Sequence, residues 1–334
     1  MAVMETNWNQ VLGHKQQIAE LRAMLREGRL PHALLFTGPE GIGKRKVAHV
    51  LAAALLCGKG DAPCGSCTSC RYMRADTHPD YLEVIPEKRG KGTSIIRIEQ
   101  IREMQTMASR YPIYSGQHVI VIDEADRMNE AAANSLLKTL EEPEGAVTFI
   151  LVTSARSALL DTILSRCMPM AFGMLEESEI IQVLAGQGIA SDEAEKLAAL
   201  SDGSPARALK LHEDGGIVLR DDALAFLQGR ASMGMQAMWK RAAEMGEMDR
   251  EKVAEWFLYI NMLLRDMLVL YEDGGSPLLY HKDCRDTLMA LLFAYPERRI
   301  FALLALVRDM QRRLQTNASL RLQVEGFLIR ARDL

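Results

Sequence analysis

A glycine-rich loop that ends in a lysine lies near the start of the chain and is suited to hold phosphate groups. Gly38, Gly41 and Gly43 precede Lys44 in the pattern G-x-x-x-x-G-K, directly after a short apolar run. Glycines allow a tight loop whose backbone N–H groups face phosphate oxygens, and a helix that begins at the lysine adds the positive end of its dipole. Lys44 would then reach the outer phosphates of a nucleotide. For this loop alone, a strand-to-helix turn without a ligand is the alternative.

The residue after this lysine departs from the phosphate-loop pattern. Arg45 stands where Ser or Thr is expected, and that hydroxyl normally binds the Mg²⁺ ion that bridges the outer phosphates. We therefore predict weak binding of ATP and Mg²⁺ at most, and weak or absent ATP hydrolysis by this chain itself.

A second motif pairs two carboxylates at the end of an apolar run. Asp123 and Glu124 follow the residues VIVI, about 80 residues after the phosphate loop. Asp123 is suited to hold a metal ion, and Glu124 to polarise an attacking water. Acidic residues at a strand end are often only solvated, but the combination with the phosphate loop is far more specific than either motif alone.

Four of the six cysteines lie within fourteen residues: Cys57, Cys64, Cys67 and Cys70. Four thiolates suit a tetrahedral Zn²⁺ ion with no open position, so the predicted zinc site is structural and not catalytic. An iron-sulfur cluster fits the same ligand count, and reduced cysteines without metal are a further alternative. The uneven spacing argues against a disulfide framework.

The two phosphate-site motifs resemble Walker A and Walker B of the AAA+ superfamily. Residues 133–143, ANSLLKTLEEP, are similar to a stretch typical of bacterial clamp-loader subunits, and the likeness covers roughly residues 8–212. In that family, the delta-prime and tau/gamma subunits carry a zinc module after the phosphate-loop helix, which agrees with the cysteine cluster. The resemblance also implies an oligomer-forming collar at the C-terminal end.

The resemblance adds three further site residues. Arg166, in the sequence Ser-Arg-Cys, corresponds to an arginine finger that acts in trans, in the nucleotide site of a neighbouring subunit, where its charge stabilises the transferring phosphoryl group. Thr153 corresponds to sensor 1 and Arg207 to sensor 2, both of which contact nucleotide phosphates in the family. Structural roles remain the alternative for each: a helix-capping or ion-paired arginine, a strand-end threonine and remnants of a disabled site.

The elements that must position these residues follow an α/β pattern. Short apolar runs alternate with amphipathic segments through the first half of the chain, which predicts a mostly parallel sheet with helices between the strands. The predicted strands cover residues 33–37, 81–85, 118–123, 148–153 and 168–172, and the predicted helices 15–26, 44–57, 98–110, 129–141 and 158–164.

Helical periodicity replaces the strand signal after residue 175. Three short helices are predicted at 177–187, 191–201 and 204–212, and longer ones at 248–271, 285–294 and 298–315. We therefore predict an AAA+ P-loop α/β domain at 1–173 with the cysteine module at 57–70 inserted, a small helical lid at 174–213, and an all-helical collar domain at 214–334.

Length and net charge limit the number of domains and the classes of function that fit this chain. The 334 residues suit two or three domains, and the net charge of -4 gives no general basic field for nucleic acid. The absence of a leader pattern and of a long apolar segment predicts a cytoplasmic protein without membrane contact.

Three functions of different classes fit these observations. The first is a stator-like delta-prime type subunit of the DNA polymerase III clamp loader, which the resemblance implies would sit with tau/gamma and delta subunits in a hetero-pentameric ring. That ring would load a sliding clamp on primed DNA at the expense of ATP. The second is an active AAA+ ATPase such as a tau/gamma motor or a branch-migration helicase, which Arg45 argues against. The third, a zinc-bearing adaptor, would leave both phosphate-site motifs unexplained.

Overall fold

The computed structural model describes residues 6–59, 62–88, 94–143, 145–213, 215–314 and 318–334. Two compact units make up the chain: residues 1–186 with 203–206 form the first, and residues 187–202 with 207–334 form the second. The predicted division into a nucleotide-type domain, a lid and a collar stays a prediction.

A five-stranded sheet forms the centre of the first unit, in the order β2-β3-β4-β1-β5. Every neighbouring pair is parallel, and nearly all residues of the three central strands are buried, as expected of a sheet covered on both faces. The strands are β1 Ala33–Thr37, β2 Tyr81–Val84, β3 His118–Ile122, β4 Val147–Thr153 and β5 Met168–Ala171.

Helices of the first unit cover both faces of this sheet. Helix α2 packs against β3 and β4, whereas α4 packs against β2 and α5 on a core that includes Leu35, Ile120 and Leu136. These contacts confirm the predicted α/β class with a parallel sheet. The helices are α1 Lys15–Glu27, α2 Lys44–Leu56, α3 Thr68–Arg74, α4 Ile98–Ala108, α5 Glu130–Glu141, α6 Asp161–Leu164 and α7 Glu177–Gly186.

Strand register brings the predicted site residues to one edge. Thr37 pairs with Thr153, so β1 and β4 end side by side, and β3 ends next to them at Ile122. The phosphate loop follows Thr37 and the acidic pair follows Ile122. Because parallel strands present their carboxyl ends at the same edge of the sheet, the two motifs meet there.

The described secondary structure of the second unit consists of helices. Its helices are α8 Ser191–Leu200, α9 Pro205–Glu213, α10 Gly216–Gly229, α11 Met235–Glu247, α12 Arg250–Glu272, α13 Arg285–Leu292, α14 Glu297–Leu314 and α15 Leu320–Asp333, with α9 beginning in the first unit. Helix α12 packs against α10 and α14, and Trp256, Phe257 and Phe327 form an edge-to-face aromatic cluster in the core. No described helix combines the length and apolar character required to cross a membrane.

A buried aspartate fastens a loop between α4 and β3. The Asp80 carboxylate accepts hydrogen bonds from the amides of Ile113, Tyr114 and Ser115 at 2.6 to 3.1 Å, and from the Ser115 hydroxyl at 2.9 Å. Burial alone would raise the pKa of Asp80, but these donors outweigh it and lower the pKa. The carboxylate form is therefore the one that holds the loop.

Replacing Asp80 with Asn should destabilise the first unit by about 2 kcal/mol at neutral pH, because an amide is a weaker acceptor and turns one donor toward N–H groups. The folded-state pKa lies below that of the unfolded chain. The contribution is therefore present above about pH 4 and is lost as the pH falls through the folded-state pKa. Urea unfolding at neutral and acidic pH should show the difference between wild type and variant shrinking on acidification; a constant difference would contradict this origin.

Candidate functional site

A cavity of about 970 Å³ lies at the carboxyl edge of the sheet. Both predicted motifs line it, together with the end of β4 and the segment after α3. The lining includes Gly41, Gly43, Lys44, Arg45, Lys46, His49, Arg74, Asp76, Asp123, Glu124, Thr153 and Ala206. Most of the sequence-predicted nucleotide residues therefore meet in one cavity.

The phosphate loop has the backbone that its glycines allow. Gly38 and Gly41 have φ angles of 148° and 75°, which residues with a side chain rarely adopt. A Cβ atom on Gly38 would lie 2.3 Å from the carbonyl oxygen of Phe172, so glycine is required there for space as well. Gly43, at φ 100°, precedes α2 and leads Lys44 into its first turn.

Residues 203–206 are bonded to this loop within the first unit. The Ser204 hydroxyl donates to the carbonyl of Glu40 at 3.1 Å, and the Ala206 amide donates to the carbonyl of Gly41 at 3.1 Å. A Cβ atom on Gly41 would lie 2.5 Å from the Ser204 hydroxyl oxygen. The segment thus packs directly on the phosphate loop, a contact that sequence reasoning did not anticipate.

Lys44 is buried and turned onto its own loop. Its ammonium donates to the carbonyls of Gly38 at 2.8 Å and Pro39 at 2.5 Å. Burial lowers the pKa of Lys44, and the negative charges of Asp123 and Glu40 oppose that change. The ammonium is held beside the loop whose N–H groups would face phosphate oxygens.

Arg45 enters the cavity as one partner of a charged cluster. Its guanidinium binds both oxygens of Glu83, at 2.7 and 2.6 Å, and its Nε lies 3.6 Å from Oδ2 of Asp123. His49, one helical turn further along α2, contacts the same Glu83 carboxylate at 2.7 Å. The hydrogen bonds that Arg45 donates to Glu83 raise the pKa of Arg45. Burial alone would raise the pKa of Glu83, but its hydrogen bonds with His49 and Arg45 outweigh burial and lower the pKa.

The two residues of the acidic pair, Asp123 and Glu124, lie in different environments. The side chain of Asp123 is 14% exposed and faces Arg45, and burial raises its pKa while the guanidinium opposes the rise. Glu124 has a left-handed backbone, is about half exposed, and pairs with Arg127 at 2.5 Å. The predicted metal carboxylate thus lies close to the positive charge of Arg45, and the predicted water-polarising carboxylate pairs with Arg127.

Thr153 lies at the cavity but is engaged within the chain. Its hydroxyl donates to Oδ1 of Asp126 at 2.5 Å, and the amide of Ser154 donates to the same oxygen at 3.3 Å. Thr153 is buried, with 1% of its surface exposed. A sensor role for it stays a prediction.

Arg166 and Arg207 lie in separate units. Arg166 donates to the carbonyl of Thr162 at 2.7 Å and pairs with the Glu141 carboxylate, and about a third of its side chain is exposed. Arg207 belongs to the second unit, where its guanidinium lies 4.0 Å from the sulfur of Met262. Neither pairing tests the predicted trans finger or second sensor.

Three residues of the cavity region were missed from sequence: Glu83, His49 and Asp126. The spacing of Arg45 and His49, four residues apart, predicts that both lie on one helix face. A glutamate inside the apolar run of β2 was the other available signal. Arg45 and His49 both contact Glu83, and this contact forms only in the folded chain, where β2 pairs with β3.

The four clustered cysteines form a ligand set suited to one metal ion. Their sulfur atoms all lie within 4.8 Å of one another, with Cys57 and Cys67 separated by 3.8 Å and Cys64 and Cys70 by 4.0 Å. An ion bound tetrahedrally at about 2.3 Å from each sulfur requires edges of about 3.8 Å, so the cysteines fit such an ion. Helix α3 begins directly after Cys67, whose sulfur accepts the amide of Cys70 at 3.4 Å.

The thiols differ in how readily they lose their protons. The amides of Ser66 and Cys67 lower the pKa of Cys64 to about 5, whereas burial raises the pKa of Cys57 and Cys70. A bound cation would offset that cost of burial, because it stabilises the thiolate form. With four protein ligands the site has no open position, which is typical of a structural metal.

Comparison with known proteins gives the relationship of this chain. Residues 13–176 match the family model described as DNA polymerase III, delta subunit. The delta-prime subunit of Pseudomonas aeruginosa DNA polymerase III is 40% identical over 189 residues, covering 55% of this chain and 56% of that protein. The delta-prime subunit of Bacillus subtilis is 29% identical over 322 residues, covering 91% of this chain and 92% of that protein.

A tau/gamma subunit of DNA polymerase III is also similar to this chain. The tau/gamma subunit of Haemophilus influenzae is 36% identical over 177 residues, covering 52% of this chain and 25% of that protein. The chain spans 56 to 60% of the length of the first two delta-prime subunits that it matches, and nearly the full length of the B. subtilis protein. The chain is therefore similar to DNA polymerase III delta-prime subunits, over somewhat more than half of its length at 35 to 40% identity and over 91% of it at 29% identity.

Proposed function

We propose that this chain is a stator-like subunit of a DNA polymerase III clamp loader. It supplies Arg166 to the nucleotide site of a neighbouring motor subunit and hydrolyses little or no ATP itself. The observation that carries the proposal is the pairing of Arg45 with Glu83 and Asp123, since a cation of the protein's own lies against the carboxylate that would hold Mg²⁺. The delta-prime names of its relatives support the same assignment.

The proposed mechanism assigns the chemistry to the neighbouring subunit. ATP bound by tau/gamma-type motors draws a hetero-pentameric ring, completed by a delta subunit, into a state that opens the sliding clamp for primed DNA. In that ring Arg166 leaves Glu141, with which it pairs in this chain, and its guanidinium stabilises the charge that develops on the transferring phosphoryl group. Breaking the Arg166–Glu141 pair costs little free energy, because both side chains are partly exposed to solvent.

The four-cysteine module and the helical C-terminal domain have supporting roles in this proposal. We propose that the ion is Zn²⁺, with an iron-sulfur cluster as the alternative for the same ligands. The module leads through Arg74 and Asp76 to the wall of the phosphate cavity, so the ion would hold that wall in place. The helices after residue 214 would form the collar that joins subunits.

This function is tested by measuring ATP hydrolysis. The isolated chain is measured first, and then its mixture with tau/gamma and delta subunits, the clamp and primed DNA. We expect background turnover from the chain alone and stimulated turnover when it completes the mixture. Robust turnover by the isolated chain would favour the second candidate, an active AAA+ ATPase. That candidate draws support from the retained Lys44, Asp123 and Glu124, all of which line the cavity.

A further inference from the structure

Three of the four clustered cysteines are placed by helices, and the fourth is not. Cys57 directly follows α2, Cys67 caps α3, and Cys70 lies in the first turn of α3. Cys64 belongs to a loop instead, and its amide donates to the Cys57 sulfur at 3.5 Å, a bond to a weak acceptor. The position of Cys64 therefore depends on what holds its loop from outside the ligand set.

A tryptophan from near the start of the sequence holds this loop. The indole N–H of Trp8 donates to the carbonyl of Ala62 at 3.2 Å, two residues before Cys64, and Trp8 is only 6% exposed. On the other side of Cys64, the guanidinium of Arg74 donates to the carbonyl of Gly65 at 2.9 Å. The loop is thus fixed on both sides of its ligand by side chains that are not ligands themselves.

The turn that carries Trp8 is attached to the body of the first unit. Trp8 begins a single 3₁₀ turn that ends at Gln10, and Val11, directly after it, is buried. His14 follows, and its Nε2 lies 2.8 Å from the carbonyl oxygen of Ile42 in the phosphate loop. A support that is fixed in this way limits the motion of the cysteine loop instead of following it.

We propose that Trp8 is a positioning residue of the metal site, whose hydrogen bond to Ala62 holds Cys64 opposite the other three sulfur atoms before an ion arrives. The proposal rests on the assignment of a metal ion to the four cysteines, and it is independent of Arg166. Partners of this kind, outside the ligand set, contribute about 10- to 100-fold to the metal affinity of protein sites. Because such linkage is reciprocal, binding of the ion must in turn favour the docked position of Trp8.

The Zn²⁺ affinity of the full chain, measured by competition with a chromophoric chelator, tests the first half of the proposal. Trp8→Phe keeps an aromatic ring but lacks the N–H donor, and we expect it to bind Zn²⁺ about tenfold more weakly than wild type. Trp239→Phe, the same change at a half-exposed tryptophan of the second unit, should keep wild-type affinity. A role in packing alone would lower the stability of Trp8→Phe equally with and without Zn²⁺ and would leave this affinity unchanged.

Tryptophan fluorescence tests the second half without a change at Trp8. In the Trp239→Phe chain the two remaining tryptophans, Trp8 and Trp256, are both buried. Removal of Zn²⁺ by the chelator should release Trp8 and raise the quenching of emission by acrylamide. The double variant Trp8→Phe with Trp239→Phe retains Trp256 alone and should show no such rise.

The outcomes separate the role of Trp8 from the metal site itself. Equal Zn²⁺ affinities of Trp8→Phe and Trp239→Phe, or quenching that stays the same when Zn²⁺ is removed, would overturn the role of Trp8 and leave the metal assignment in place. A wild-type chain that binds no Zn²⁺ would overturn both. If Trp8→Phe does not fold, the quenching of the Trp239→Phe chain decides. None of these results bears on Arg166, because no partner subunit is present.

Discussion

Replacing Arg166 with alanine should slow ATP hydrolysis at the adjoining nucleotide site of the proposed ring by about a thousandfold, the lower end of what a trans-acting arginine contributes to phosphoryl transfer. The guanidinium is one-third exposed and its partner Glu141 is about half exposed, so the side chain can exchange that carboxylate for a phosphoryl group. Single-turnover hydrolysis in the reconstituted complex is the measurement, because it separates the affected site from sites that do not adjoin this subunit.

Two further variants make this experiment specific. Arg156→Ala removes an exposed arginine ten residues away, in the short turn before α6, and should leave turnover unchanged. Glu141→Gln weakens the competing intrachain pair, so it should leave turnover equal to or above that of wild type. The isolated Arg166→Ala chain should unfold within about 1 kcal/mol of wild type, as expected for a partly exposed ion pair. Equal turnover by Arg166→Ala and Arg156→Ala complexes would refute the finger.

Arg166 and Arg45 have different partners, and this difference separates their proposed roles. Arg45 faces two carboxylates that are only 12% and 14% exposed and lines its own cavity, whereas Arg166 pairs with the half-exposed Glu141 and is not among the described residues that line that cavity. Although the Arg45 side chain is about half exposed, moving it would leave the largely buried Glu83 carboxylate without this partner, which is costly. We infer that Arg45 stays in place and that Arg166 is the arginine able to change partners.

Local sequence patterns were sufficient to predict the five strands and the glycine-rich backbone of the phosphate loop. Strand β1 was predicted with its observed bounds, and the other four strands within one residue at either end, because each is a short apolar run between turn-forming residues. Helix α3 was not predicted, since seven residues between clustered cysteines carry little periodicity. Its start depends on Cys67, which caps it through a sulfur atom.

Partners that come together only in the folded chain escaped prediction. Glu83 lies 38 residues from Arg45, and Asp126 lies 27 residues from Thr153. Both pairs depend on the order and register of neighbouring strands, which a linear pattern does not specify. The contact of residues 203–206 with the phosphate loop spans more than 160 positions and depends in the same way on tertiary packing.

Replacing Cys70 with serine should remove the metal and destabilise the first unit by on the order of 5 kcal/mol. That is less than the roughly 10 to 16 kcal/mol that structural Zn²⁺ supplies in zinc fingers, because this unit also has the hydrophobic core of its sheet. Cys70 is fully buried, and its sulfur lies 4.0 Å from that of Cys64, so a serine there would leave both an incomplete ligand set and a buried hydroxyl. Elemental analysis and chemical unfolding measure the two effects together, with about one Zn²⁺ per wild-type chain expected.

Cys167→Ser provides the matched control for this prediction. Cys167 is also buried, and burial raises its pKa to about 11, but it lies outside the four-cysteine group. It should keep the full metal content and lose only about 1 to 3 kcal/mol, the cost of burying a hydroxyl. Equal metal contents in the two variants would show that Cys70 is not a ligand. Iron and sulfide in place of zinc would instead assign the same four thiolates to a cluster. If Cys70→Ser lost the metal but were destabilised no more than Cys167→Ser, the module would be stabilised by its own packing, and the ion would contribute little to the free energy of unfolding.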